Sequence, residues 1–454
     1  MSMLNNAVSG LNASKAALTS ASNNVANAMV KGYSRQQVMT SSVGNDVYGG
    51  GVMVDGIRRI TEQYEVAQLW NTTSQVGFST VQASYLRQAE QVFGSEGSDI
   101  SQGLDQLFAS LHSAMEQPDD IAWRQGILNE SKALSHRINF ISEAVNSQMT
   151  QIEGQLSTSV NEINAQLQAI AKFNEEIHAA DSKNNAPSTL LDARDAAIDE
   201  LAAFVDIKVI KDTDNMVKIS LSKGQPLLVG TSASTLITST DPSDPSKSQM
   251  SIQFGESHFS LDEATGGSLG ALLHYRDNSL AESKTFIDEL ATTMATEFNS
   301  VLAEGKDSNG NTPKDLFIYD DRNPSGSLKV SSDFTAEMLA LGQDGTPGDN
   351  SNLKELVKIA ETTFHFSSNG AKTTMGEAFA NKIGALGSAS RQAAISSNTD
   401  LALRIEARSQ WSSTSGVNLD EEAVDLIAYQ QNYQANAKVI ATTDILFQTL
   451  LKSI

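Results

Sequence analysis

Gly266-Gly267-Ser268-Leu269-Gly270 matches the G-x-S-x-G nucleophile elbow, a strand-to-helix turn that presents a serine hydroxyl to a substrate carbonyl. That chemistry needs a strand before the turn, and an acid and a histidine from later loops. Asp262 to Thr265 is too polar for such a strand, and His274 falls on the helix that the elbow would start. Asp307-x-Asn309-x-Asn311 imitates the first half of a calcium loop, but Thr312 stands where glycine is needed and Ile318 where a bidentate glutamate is needed. The six histidines (112, 136, 178, 258, 274, 365) lack the spacing of a zinc site, and there is no cysteine for thiol, disulfide or metal chemistry. No P-loop or dinucleotide fingerprint is present. No catalytic residue, cofactor, metal or small-molecule substrate is therefore expected.

The remaining pattern is one of surfaces that need helical partners. Near the N-terminus Leu4, Leu11, Leu18 and Val25 recur every seven residues, with Ala7, Ser14, Ala21 and Ala28 in the alternate seam positions. Near the C-terminus Leu419, Leu426, Tyr433, Ile440 and Phe447 keep the same spacing. A sustained heptad gives a narrow apolar seam, and the simplest partner for each seam is the other. Asn23, Asn24 and Asn27 beside the first seam are candidates for polar contacts between subunits, or for ordinary capping. Asp420-Glu421-Glu422 suits the positive end of a helix.

Composition narrows the class further. The chain has 454 residues, 6% aromatics and a net charge of −22, which argues against nucleic-acid binding. Residues 1–60 are nevertheless net positive, with Lys15, Lys31, Arg35, Arg58 and Arg59 against Asp46 and Asp55. No run of apolar residues is long enough to span a membrane, and the first 30 residues lack the character of a cleaved signal.

Along the chain, a first helix is predicted over 2–27. Short strands follow over 33–60, around a turn at Gly49-Gly50-Gly51. Helices are predicted over 62–93, from Ile100 to Pro118, over 119–180 and over 190–204. The 119–180 helix would be straight and roughly 90 Å long. Strands are predicted at 207–210, 217–221, 227–229, 252–254 and 258–261, with 232–248 as a polar surface loop. Helix resumes over 269–302, a mixed segment fills 305–370, and helices return from Met375 to Trp411 and over the last heptads.

The expected fold is mainly α with a smaller β domain. Residues 1–60 with 412–454 form a paired, coiled-coil terminal stem, 61–204 with 269–411 a helical rod domain, and 205–268 a β-rich outer domain.

Two stretches carry a resemblance. Leu18 to Gln36 resembles the N-terminal signature of bacterial flagellar rod, hook and hook-associated proteins, matching at Ser22, Asn24, Val25, Ala26, Asn27, Gly32 and Tyr33. Met29-Val30-Lys31 replaces the usual Asn-Thr-Pro there. Ser415 to Leu451 resembles the ending of that axial family, and Gly416 to Glu422 points to its hook-associated members. Leu190-Leu191-Asp192-x-Arg194-Asp195 and the stretch from Gly266 to Asp277 agree with them.

The resemblance implies a non-enzymatic structural protein at the hook–filament junction, outside the cell and exported through the flagellar type III channel without a cleaved signal. It implies terminal segments that are disordered in the monomer and order on assembly. The implied partners are further copies of itself in a ring-like zone, hook protein, the next hook-associated protein, and an export chaperone on the row Leu426, Tyr433, Ile440 and Phe447. The residue pattern leaves two alternatives open. One is another axial protein, of hook or distal rod. The other is a secreted adhesin or enzyme on a coiled-coil stalk, with 205–262 as its head.

Overall fold

A computed structural model of the chain describes residues 2–43, 50–180, 187–212, 215–242, 244–344, 346–367 and 371–452. Gly49 of the expected glycine turn, Ser243 of the expected loop, and Gly345 and 368–370 of the mixed segment lie outside the described residues. The elements run α1 (Ser2–Asn27), β1 (Gln36–Ser42), β2 (Val52–Arg59), α2 (Gln63–Phe93), α3 (Ile100–Ala114), α4 (Ile121–Ala180) and α5 (Ser188–Phe204). Seven strands follow: β3 (Ile207–Lys211), β4 (Val217–Leu221), β5 (Pro226–Val229), β6 (Ser232–Ala233), β7 (Thr235–Thr240), β8 (Ser248–Phe254) and β9 (Ser257–Ser260). The chain continues with α6 (Gly267–His274), α7 (Ala281–Glu304), β10 (Phe317–Ile318), α8 (Pro324–Ser327), β11 (Lys329–Val330), α9 (Ser351–Lys358), α10 (Met375–Ser415) and α11 (Leu419–Lys452).

Two elements differ from the sequence reading. The first half of the expected loop over 232–248 is strand: β7 pairs antiparallel with β8 from Thr235↔Gln253 to Thr240↔Ser248. Its Thr and Ile residues suit a pleated surface, and Leu236 falls on the buried face. Asn164 of α4 fixes that strand, taking the Leu236 N–H at 2.7 Å and donating to its carbonyl at 2.9 Å. The helix expected over 269–302 contains a π-helical turn, Tyr275–Leu280, between α6 and α7. That turn buries Tyr275, Arg276 and Leu280 together. The Tyr275 hydroxyl donates to Gln148 at 2.7 Å, and Arg276 is held by Glu153 at 3.0 Å and Asp277 at 2.8 Å.

The chain groups into two compact units. Unit 1 comprises residues 1–78, 158–270 and 398–454, and unit 2 comprises 79–157 and 271–397. The terminal helices and the β-rich segment thus share unit 1, so these boundaries are drawn differently from the three expected domains.

In unit 1, Ile163, Leu167, Ile170 and Ile177 of α4 are sealed from solvent, as are Ile198 and Leu201 of α5. The strands form a four-stranded sheet, β3-β4-β5-β6, and a three-stranded sheet, β7-β8-β9. Asn174 of α4 takes the Val217 N–H and donates to the carbonyls of Val217 and Gly230, leaving no buried strand end unpaired there. Gly267 permits α6 to start hard against the end of α5. It has φ +57°, and a Cβ there would lie 2.3 Å from the Phe204 carbonyl carbon.

Unit 2 is built on Leu134, Ile138, Ile141 and Ile152 of α4 with Phe286, Ile287 and Leu290 of α7, all buried. Phe298 lies tilted against Phe108 at 5.9 Å and meets Phe317 edge-on at 5.8 Å.

Candidate assembly interface

α1 is rich in Ala, Ser and Asn, and its small residues decide what it can pack against. Ala7, Ser14 and Ala21 are buried, while Leu4, Val8 and Val25 remain about 40% exposed and Leu11 and Leu18 are half-buried. The partner is α11, running antiparallel. A Cβ at Gly10 would lie 2.8 Å from the Asn436 side-chain oxygen, so Gly10 faces the Asn436 amide of α11. Asn24 lies opposite Glu422. One step along α1 therefore corresponds to one step back along α11. At that register Ser2 falls opposite Asp444, and Ile445–Lys452 extend beyond the start of α1.

A buried polar latch closes the other end of the pair. Asn24 is 1% exposed and uses its full hydrogen-bonding capacity. Its amide nitrogen donates to the Gln36 carbonyl at 2.9 Å and to Glu422 Oε1 at 3.0 Å. Its amide oxygen accepts from the Tyr33 hydroxyl at 2.9 Å and from the Gln36 N–H at 2.9 Å. Glu422 is 2% exposed and also accepts from Arg35 Nε at 2.9 Å, while Arg35 reaches Glu421 at 2.9 Å and Asp425 at 3.4 Å. The Arg35 backbone N–H donates to the Ser415 carbonyl at 2.7 Å, tying the link between α10 and α11 to the same point. Burial, then the Asp192 and Glu422 carboxylates, push the Tyr33 hydroxyl up to about 12. Tyr33 is therefore a neutral donor across the physiological range.

A second cluster holds the chain just beyond the latch. Arg59 at the end of β2 forks between Asp192 at 3.0 Å and Asp195 at 2.7 Å on α5. Asp192 also accepts from the Ser34 N–H at 3.2 Å. Burial raises the Asp192 carboxyl pKa, against the downward pull of Ser34 and Arg59.

The expected interface residues fall into three groups. Asn24 is spent inside the chain, and Asn27 donates to the Asn23 carbonyl of its own helix at 2.9 Å. Leu11, Leu18, Leu426 and Ile440 are half-buried along the α1–α11 pair. Leu4, Val25, Leu419, Tyr433 and Phe447 are open to solvent. So are Val424, Ile427, Ile445, Leu446, Leu450 and Leu451, each more than half exposed. α11 buries only Glu422, so a second helix alone leaves most of its apolar surface uncovered.

Sequence reasoning missed Arg35 and the buried role of Glu422. The available signal was a lone arginine after Gly32-Tyr33, set against three consecutive acids at the other end of the chain.

The catalytic imitations have structural explanations. A 3₁₀ turn, Glu263–Thr265, occupies the place where an elbow would need a strand. Asp307 closes its own loop by accepting the N–H groups of Asn309 and Asn311, both at 2.8 Å. Among the described residues no group of three or more His, Asp or Glu could hold a metal ion, and no helix is long and apolar enough to cross a membrane.

Comparison with known proteins gives consistent matches. The model of the flagellar hook-associated protein FlgK helical domain matches residues 86–317. That of the flagellar basal body rod FlgEFG protein C-terminal region matches 408–453. The chain is 26% identical to flagellar hook-associated protein 1 of Salmonella typhimurium, with 99% of each chain covered. It is 25% identical to the Bacillus subtilis protein of that name, covering 97% of this chain and 96% of that one. The fold is that of the flagellar hook junction protein FlgK from Burkholderia pseudomallei. The TM-score is 0.69 at 17% identity, over 76% of this chain and all of that one.

Proposed function

Because this chain belongs to the FlgK family of flagellar hook-associated proteins, we propose that it is the structural subunit at the junction between flagellar hook and filament, required before filament can grow. The observation that carries this is the apolar face of α11, left open although α1 and α11 are already held in register by the Asn24–Glu422 latch.

Burying each open Ile, Leu or Phe against neighbouring copies contributes about 1.5–3 kcal/mol. Ordering the terminal segments opposes this at about 1–2 kcal/mol per residue of backbone entropy. The α1–α11 pair alone leaves most of this apolar surface uncovered, so the terminal helices gain their full stability only where several neighbours surround them. The subunit adds to a growing end and stays monomeric in solution. The latch aligns the pair, the open rows join copies into a ring-like zone, and the rest of the chain faces hook protein on one side and the next hook-associated protein on the other.

Export follows from the same surface. Until it is paired, the row Leu426, Tyr433, Ile440 and Phe447 is an aggregation hazard. A chaperone with an apolar groove covers it before the chain passes through the type III channel.

The test is electron microscopy of cells lacking this chain. Hooks without filaments, restored by the full-length chain and not by one ending at residue 414, is the expected result. Normal filaments in its absence would overturn the assignment.

A further inference from the structure

A cavity of about 180 Å³ opens in unit 1 among Val66, Leu69 and Trp70 of α2 and Trp411 of α10. Its shape is fixed from behind, since Trp70 donates its indole N–H to the Asp195 carbonyl at 3.3 Å. Its carboxylates are already engaged. Arg59 holds Asp192 and Asp195, Thr73 donates to Asp199 at 2.7 Å, and Gln166 donates to Glu200 at 2.8 Å. The lining charges without a partner among the described residues are Lys31 and Arg408, both positive and both exposed. An occupant is therefore selected for an apolar side chain carrying an acid beside it.

The same chain displays such a pair. Leu419 opens α11 and is 51% exposed. At the register of the helix pair it falls opposite polar Asn27, so α1 offers it no apolar contact. It does not line the cavity of its own chain. Asp420 beside it is exposed, and its carboxylate has no partner among the described residues.

We propose that Leu419 and Asp420 of one copy enter this cavity on a neighbouring copy, the leucine against the two indoles and the carboxylate against Arg408 and Lys31. The proposal rests on the assembly reading above and names one of its contacts. Plug and cavity are different surfaces of one chain, so the contact is heterologous and propagates from copy to copy, as a ring or helical array requires. It also sets opposite charges together between molecules that each carry −22 and otherwise repel.

The absence of cysteine makes the test clean. Hook–filament preparations from cells carrying Asp420→Cys with Arg408→Cys, mildly oxidised, should run as a ladder of multiples on a non-reducing gel. Neither single variant should do so. Independently, Arg408→Glu should lower the fraction of filament-bearing cells about tenfold, and adding Asp420→Arg should restore it.

If the double-cysteine chain is present in the organelle and runs only as monomer, the contact is wrong while the junction role stands. Failure of the charge swap to rescue has the same meaning. Absence of the unaltered chain from the organelle would defeat the junction reading and this contact with it.

Discussion

α4 and α11 begin from similar sequence patterns and reach opposite ends. Both carry apolar rows at helical spacing over long, uninterrupted helices of 60 and 34 residues. Along α4, Leu134, Ile138, Ile141, Ile152, Leu156, Ile163, Leu167, Ile170 and Ile177 are all fully buried. Along α11, Ile445, Phe447, Leu450 and Leu451 are each more than 60% exposed. An apolar row states that a helix needs cover. Whether the cover comes from the same chain or from another molecule is decided by what the rest of the chain can supply. Around α4 it supplies helices and sheets; beside α11 it supplies a single slender helix of small residues.

The sharpest way to break this contrast is a pair of matched truncations. Leu167→Ala removes side-chain volume from a sealed core and should cost about 2–5 kcal/mol, read as a lower midpoint in urea. Phe447→Ala should leave that midpoint within about 0.5 kcal/mol of the parent while abolishing filament growth in cells. Equal loss of stability from both would erase the distinction between the two helices.

Much of this division was legible beforehand. The heptads delimit α1, α4 and α11, because the period of apolar residues follows directly from helix geometry. β7 was hidden because Thr-Leu-Ile-Thr-Ser-Thr is polar enough to read as loop, and only Asn164 and β8 reveal its buried edge. The π turn was hidden because it depends on Tyr275 finding Gln148 and Arg276 finding Glu153, contacts that a linear pattern does not encode. The latch was the least legible part. Asn24 and Glu422 lie 398 residues apart, and each alone reads as a capping or dipole-favoured residue.

A smaller effect separates alignment from cover. Glu422→Ala leaves the Asn24 amide and the Arg35 guanidinium each short of a charged acceptor, at a cost of about 1.5–3 kcal/mol. Arg35 is partly solvated and keeps Glu421 and Asp425, so the lower end of that range is expected. Amide exchange in α1 and α11 should quicken, with α4 unchanged. Quickening in α4 as well would mean that the latch supports more than the helix pair.

The finest distinction is in pH. The Tyr33 hydroxyl is held at about 12 against 10.0 unfolded, so the latch is fully stable below pH 10 and loses that stability as pH rises toward 12. In unit 2 the Asp349 carboxylate accepts the N–H groups of Ser351, Asp344 and Gln343, which hold it at about 2 against 3.8 unfolded. Its contribution is present above pH 4 and fades as pH falls toward 2. Exchange rates followed across pH should show the terminal helices loosening on the alkaline side and the amides of Gln343, Asp344 and Ser351 on the acid side. Tyr33→Phe should remove the first trend alone.

Because Asn24 and Glu422 set the phase between α1 and α11 at one end of the pair, the other end is free to vary. Whole heptads gained or lost beyond Asn436, each worth about 10 Å of span, would alter how far the pair reaches without disturbing its alignment. Reach and alignment are thus inherited separately, as in a ruler whose zero mark is engraved at one end and whose other end is cut to suit.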